Sequence, residues 1–311
     1  MDVQSLINTL SLEEKCALLS GAETFKSRGM PQHGIPQMWL SDGPHGVRKQ
    51  AGESDHLGLN PSVPAVPATC FPTASAVANS WDVALGEEIG QALGEEAAAQ
   101  DVAVLLGPGL NMKRNPLCGR NFEYFSEDPY LAGKLAAVQS GKISESDVDA
   151  RLKELMPLIF DTRAALDKAP KQFDESTHHE LARRAAAESL VLLKNGGSLL
   201  PFAEGTKVAV IGDFAETPPY QGAGSSMVNS TKVDTLLDAL KTTGLTITGY
   251  AQVFDRHGKP DEGLQQGACE LAADAQAALV CLGLDEIQES EGLDRSAMKL
   301  AQNQVELLPL F

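Results

Sequence analysis

The sequence predicts an α/β chain folded as two units. Three observations carry this. Short strand-like runs occur at 36–41, 102–106, 207–211, 246–250 and 278–282, amphipathic stretches lie between them, and Gly, Pro and polar residues cluster directly after several of the runs. Short apolar runs bounded by turn residues and alternating with helical patterns describe strands of a parallel sheet. A length of 311 residues corresponds to about two domains.

Residues 3–20 read as an amphipathic helical start, with Ser11 placed to cap the Leu-Glu-Glu-Lys stretch. The run at 36–41 is a buried strand ending at Asp42-Gly43-Pro44, and 49–72 is loop-like in composition. Asp82 is expected to cap a helix whose apolar face is Leu85, Ile89 and Leu93. The strand at 102–106 (VAVLL) runs into a Gly-Pro-Gly turn and a polar loop, then a helix near 129–140. Ser144-x-x-Asp147 is a capping-box pattern opening another helix, with Val148, Leu152, Leu155 and Ile159 as its stripe and Pro157 as a kink.

The stretch 164–174 (AALDKAPKQFD) is polar and contains a Pro, which places a linker at 166–175 between units at 1–165 and 176–311. The second unit is predicted to open with a helix at 176–194. It continues with a strand at 207–211, a Gly-rich loop at 222–226 and a helix near 233–243. A strand at 246–250, a helix at 262–276 and a strand at 278–282 complete it.

Composition excludes several function classes. The formal net charge of −17 repels phosphate backbones, so nucleic acid is not an expected partner. Five cysteines, at 16, 70, 118, 269 and 281, show no CxxC spacing and an odd count, which fits a reducing compartment. The N-terminal stretch MDVQSLINTLSLEEK lacks the basic and apolar regions of a signal peptide. No apolar run approaches the ~18 residues of a membrane span. A cytoplasmic protein is therefore expected. His178-His179-Glu180 is not a zinc pattern, and after Ile211 there is no GxGxxG. Neither a metal nor a nucleotide cofactor is expected.

Three polar segments follow predicted strands, where α/β folds build their sites. The first is Ser41 to Arg48 (SDGPHGVR), in which Asp42 either caps a tight turn or accepts hydrogen bonds from neighbouring sugar hydroxyls, and His45 either lines that site or is a satisfied loop residue. The second, 107–129, places Lys113, Arg114, Arg120, Glu123, Glu127 and Asp128 in one loop, as an ion-pair network or a binding surface. The third is Glu289 to Arg295 (ESEGLDR), where Glu291 stands beside a Gly that admits a ligand, with Asp294 and Arg295 able to orient it. The alternative is a solvated acidic loop.

These segments together resemble glycoside hydrolase family 3, of the β-glucosidase branch. The resemblance also rests on FPTASAVANSWD (71–82), VQSGKISESDVDARLKEL (138–155), AAAESLVLLKNGGSLLPF (185–202) and YQGAGSS (220–226). It covers nearly the whole chain, and GRNFEYFSEDP and SEGLDR are its most specific strings.

The resemblance implies a (β/α)8-type barrel followed by an α/β sandwich with the active site between them, and retaining hydrolysis of terminal β-D-glucosyl residues from a β-glucoside or short β-linked oligosaccharide. By the same resemblance Glu291 matches the general acid/base, and Asp42 and Arg120 match residues that bind the sugar.

The match also departs from the family. A full barrel takes about 250 residues, and residues 1–165 hold two clear βα units and one late helix. LAGKLAA (131–137) passes straight into VQSGKIS, so an internal deletion is expected near 136–138, within the segment that in the family carries a Lys-His pair and the aspartate nucleophile. Trp81-Asp82 is the only Trp-Asp pair, and Asp82 is already committed to capping a helix. A C-terminal truncation after SEGLDR is likewise expected. The expectation is an incomplete barrel, a partial sandwich, and an enzyme impaired or inactive for want of its nucleophile. The alternative is a non-catalytic remnant that binds sugar weakly through Asp42 and Arg120. Open sheet edges make homo-oligomerisation one way to cover the apolar faces.

Overall fold

The computed structural model of the chain describes residues 3–50, 65–140, 148–257 and 261–310. Its contacts divide into two units. Unit 1 holds Met1–Arg114, Phe122–Leu190 and Gly224–Thr231, and unit 2 holds Asn115–Asn121, Val191–Ala223 and Lys232–Phe311.

Unit 1 begins with helices α1 (Val3–Thr9) and α2 (Leu12–Leu18). They are separate because Ser11 forms a capping box with Glu14. The Ser11 hydroxyl accepts the Glu14 N–H at 3.2 Å, and the Glu14 carboxylate accepts the Ser11 N–H at 2.9 Å. A short hairpin of β1 (Gly21–Glu23) and β2 (Lys26–Ser27) follows. Next come β3 (Leu40–Asp42), α3 (Ala74–Ser80), α4 (Val83–Ala99) and β4 (Val104–Leu106). Strands β3 and β4 are parallel, with Leu40 opposite Val104 and Asp42 opposite Leu106.

The expected strand at 36–41 is thus shorter and shifted. Pro36 has no N–H to give a ladder, Trp39 bridges Lys26, and the ladder with β4 runs from Leu40 to Asp42. Asp82 caps α4, one oxygen accepting the N–H groups of Ala84 and Leu85. Leu85, Ile89 and Leu93 are buried as one stripe, against Phe71, Val77, Ala182 and Ala185.

Helices α5 (Pro129–Ser140), α6 (Val148–Lys168) and α7 (Glu175–Glu188) complete the unit. Pro157 lies inside α6, which continues to Lys168. Met156 and Ile159 of α6 pack on Leu6, Ile7 and Leu10. The Ser144–Asp147 capping box lies outside the described residues. The expected join at 136–138 falls within α5, whose backbone runs through it.

Two expectations are corrected here. Residues 166–168 belong to α6 rather than to a linker, and α7 belongs to unit 1, so the contact boundary falls at Leu190 and Val191. The physical reason is burial. His178, Ala182 and Ala185 of α7 are buried, and Ala182 and Ala185 cluster with the α4 stripe. The expected helix at 176–194 also stops early. The Ser189 hydroxyl bonds back to the Ala185 carbonyl at 2.7 Å, and Leu190, Val191, Leu192 and Leu193 beyond it are exposed. Among the described residues these four leave their side chains exposed, so burial does not hold a further turn.

Unit 2 is built on β5 (Lys207–Ile211), α8 (Leu236–Leu240), β6 (Thr246–Ala251), α9 (Glu262–Ala273), β7 (Ala277–Val280) and α10 (Gln302–Val305). The three strands form a parallel sheet in the order β6-β5-β7. Val208 to Ile211 are fully buried, as a central parallel strand requires. Helix α8 is shorter than the predicted 233–243 because the Thr235 hydroxyl caps it by accepting the Asp238 N–H at 3.0 Å. Thr242 and Thr243 hydroxyls close its end on the Ala239 and Leu240 carbonyls.

The α/β class predicted from the sequence is what the chain adopts. Its first unit carries one parallel strand pair and an antiparallel hairpin among the described residues, and its second a three-stranded parallel sheet.

Candidate active site

In unit 2 the chain leaves β5 for β6 on one side and then crosses to β7 on the other. A crevice forms at such a switch point, outside the carboxyl ends of the two strands that diverge, here β5 and β7. The loop after β7 carries Glu291, and the loop after β5 reaches across to it. Ala223 pairs with Ser290, the Ala223 N–H donates to Glu289 O at 2.9 Å, and the Glu291 N–H donates to Ala223 O at 3.0 Å. Gly292, at φ +84°, turns the chain immediately after Glu291. The backbone that carries the glutamate is therefore held by the loop after β5.

Arg120 meets it there. The Arg120 Nη1 lies 3.0 Å from Glu291 Oε1, and the two side chains are 38% and 23% exposed. The pair is partly open to solvent, so both groups remain reachable. The strand ends are tied together by Arg256, whose Nε donates to Asp213 at 2.7 Å and whose Nη1 donates to Glu286 at 3.1 Å, with the guanidinium over the Phe214 ring. Asp213 follows β5, Arg256 follows β6 and Glu286 follows β7, so one buried-side cation braces all three loops.

Asp42 and His45 belong to unit 1. Asp42 ends β3, and its carbonyl accepts the Arg48 N–H at 3.0 Å across a small bridge. That closure brings the Arg48 guanidinium to 4.0 Å from the Asp42 carboxylate. Gly43 makes the turn, at φ +145°, with a Cβ position only 2.1 Å from Gly46 O. Arg48 is buried, and the Asp42 side chain keeps 21% of its exposure. His45 is 1% exposed, its carbonyl accepts the Phe71 N–H, and its ring meets Phe122 edge-on.

The sequence-predicted residues thus fall into two groups. Arg120 and Glu291 are brought together in unit 2, and Asp42 and His45 share a loop in unit 1. Arg48 was not singled out from the sequence. The signal for it was the DGPHG turn, whose two glycines fold residue 48 back onto residue 42. Among the described residues no three His, Cys, Asp or Glu side chains are arranged to hold a metal ion, and no helix is long and apolar enough to cross a membrane.

Residues 3–155 match the Glycosyl hydrolase family 3 N terminal domain, and residues 190–309 match the Glycosyl hydrolase family 3 C-terminal domain. The chain belongs to glycosyl hydrolase family 3. It is 31% identical to Thermostable beta-glucosidase B of Acetivibrio thermocellus, across 99% of this chain and 58% of that protein. It is also 31% identical to the Exo-alpha-(1->6)-L-arabinopyranosidase of Bifidobacterium breve, across 97% of this chain and 58% of the relative. Among solved structures, the Bifidobacterium adolescentis GH3 beta-glucosidase superposes with a TM-score of 0.84 at 30% identity, over 98% of this chain and 61% of that one.

The chain spans 58% of the length of these two curated family 3 relatives. Part of the difference is internal. The matched span in the Acetivibrio comparison is 444 residues, longer than the 311 of this chain, so the relative holds residues inside the span that have no counterpart here.

Proposed function

We propose that this chain carries the site plan of a retaining β-glycosidase for terminal β-D-glucosyl residues, with Glu291 as the proton-transfer carboxyl. We further propose that as it stands it hydrolyses such bonds poorly or not at all. The observation that carries the first part is the Arg120–Glu291 pair, its glutamate on the loop that follows β7 and is held to the loop after β5. A carboxylate with a cationic partner and partial solvent access is suited to taking a proton from an attacking water. Released from Arg120 and protonated, the same group gives that proton to the departing oxygen. Asp42, at a strand end beside Arg48, is the carboxylate assigned to accept sugar hydroxyls, and Arg120 is the second sugar-binding group.

The second part rests on stereochemistry. Retention takes two carboxyl groups about 5–5.5 Å apart across the scissile bond, one of them the nucleophile. The family resemblance puts the nucleophile in the segment after SEDPYLAGKLAA, and here LAGKLAA runs directly into VQSGKIS. The longer matched span of the Acetivibrio relative supports an internal loss. Asp42, paired with Arg48, is a hydroxyl acceptor in this scheme and not a substitute attacker. The five free thiols support a reducing, cytoplasmic setting as part of the same proposal.

The test is turnover of an aryl β-glucoside and, because one relative is named an arabinopyranosidase, of an aryl α-L-arabinopyranoside by the purified chain. Rates far below the ~1–10³ per second of ordinary enzymes are expected on both. Turnover inside that range on either one refutes the proposed impairment. Weak binding of glucose without turnover, lost in Arg120→Gln, is the result expected of a remnant site.

A further inference from the structure

Two segments far apart in sequence are fastened together inside unit 2. The Gly119 N–H donates to Asp294 Oδ1 at 3.1 Å. The Arg295 N–H donates to Leu117 O at 2.7 Å, and the Arg295 guanidinium donates to Pro116 O. Gly119 lies so close under the 290–293 turn that a Cβ there would sit 1.9 Å from Leu293 O and 2.4 Å from Ser290 O. Three of the four residues from Pro116 to Gly119 are thereby held to the stretch that follows Glu291. The next residue, Arg120, makes the ion pair with Glu291.

The geometry points to Asp294 as a positioning residue for the proton-transfer carboxyl. It captures the Gly119 N–H, seats the Asn115–Asn121 segment, and so delivers the Arg120 guanidinium to Glu291. The contact is a side-chain oxygen accepting a backbone N–H at 3.1 Å. It acts one residue before Arg120, where a small change in backbone direction swings a long side chain away from its partner. Gly119 is the complementary requirement, because any side chain there lifts the segment off the turn. The importance of this for catalysis rests on the proposed role of Glu291. The docking itself does not.

Cys118 lies in the middle of the docked segment and is a free, partly buried thiol. Its alkylation rate by iodoacetamide reports release of the segment. Cys70, whose thiol burial pushes up to about 12, is the control for general unfolding. In Asp294→Ala and in Gly119→Ala, Cys118 is expected to react at least about tenfold faster, with Cys70 still protected. Asp294→Asn, which keeps an oxygen acceptor, is expected to stay close to the parent rate.

Modification of Arg120 by phenylglyoxal, read by mass spectrometry, reports the ion pair. It is expected to rise in Asp294→Ala to the level found in Glu291→Gln. Unchanged Cys118 reactivity in Asp294→Ala overturns the proposal. So does a freed Cys118 with Arg120 still protected, or an Asn variant as reactive as the Ala variant. Neither readout uses sugar or turnover, so failure of the hydrolysis scheme and failure of this one are distinguished.

Discussion

Replacing His178 by Ala is expected to remove a large part of the stability of unit 1. The imidazole is 4% exposed, with Nδ1 2.8 Å from Glu96 Oε1 and Nε2 3.2 Å from Glu95 Oε2. Both ring nitrogens are thus engaged by carboxyl groups of α4. Glu96 is fully buried, and its other oxygen accepts the Thr69 N–H at 3.0 Å. The ring also stacks on Phe173 at 5.0 Å between centroids.

In His178→Ala the Glu96 carboxyl stays buried with a single backbone donor. Leaving a buried polar group without its hydrogen-bond partner costs about 1–3 kcal/mol, and the lost ring contact with Phe173 adds to it. Glu95 is the internal comparison. Its side chain is 51% exposed, so Glu95→Gln is expected to cost less than about 1 kcal/mol. The assay is urea unfolding at pH 7 followed by circular dichroism, with hydrogen exchange on the 175–188 peptide to locate the loss. A cost under about 1 kcal/mol for His178→Ala, or equal costs for the two variants, refutes the account of this helix contact.

Two other perturbations have defined outcomes. Hydrogen bonds from Arg163 hold the Asp101 carboxyl below the usual aspartate range, against partial burial that raises it. A folded-state value below the unfolded one stabilises the fold above the ordinary aspartate pKa of about 4 and loses that effect as pH falls through the folded value. Asp101→Asn should therefore cost up to about 1 kcal/mol near pH 7, and the parent and variant stability curves should converge in acid. A gap that persists to pH 2 would show the effect is not electrostatic. Gly212, which follows β5, has φ +116° and a Cβ position 2.3 Å from the Cys281 carbonyl oxygen. Gly212→Ala is expected to cost at least about 1–3 kcal/mol, read as a lower melting midpoint with loss of the β5–β7 amide protection.

What the sequence revealed depended on how local the physics was. The caps at Ser11, Asp82 and Asp174 each act within three residues, and the first two were read directly. The strands at 102–106 and 207–211 were found because a buried parallel strand needs an unbroken apolar stretch, as at Val208 to Ile211. The helix at 176–194 was overextended because its pattern continues in leucines, while helix length is set by the surface available to pack against. The linker at 166–175 was misplaced for a related reason, since polar composition does not reveal that α7 buries Ala182 and Ala185 on α4. Glu291 and Arg120 were each legible through a family string. Their contact was not, since 171 residues separate them and nothing in either string encodes the Gly119–Asp294 hydrogen bond that aligns them.

The four residues after α7 have a practical consequence. Leu190, Val191, Leu192 and Leu193 are 82%, 59%, 66% and 91% exposed, a greasy tetrad in a chain of strong negative charge. Contiguous apolar surface of this kind is adhesive, and raising salt both screens the repulsion between copies and strengthens apolar association. The protein should bind a phenyl resin in ammonium sulfate and elute late, and its solubility should fall with added salt sooner than its acidity alone would suggest.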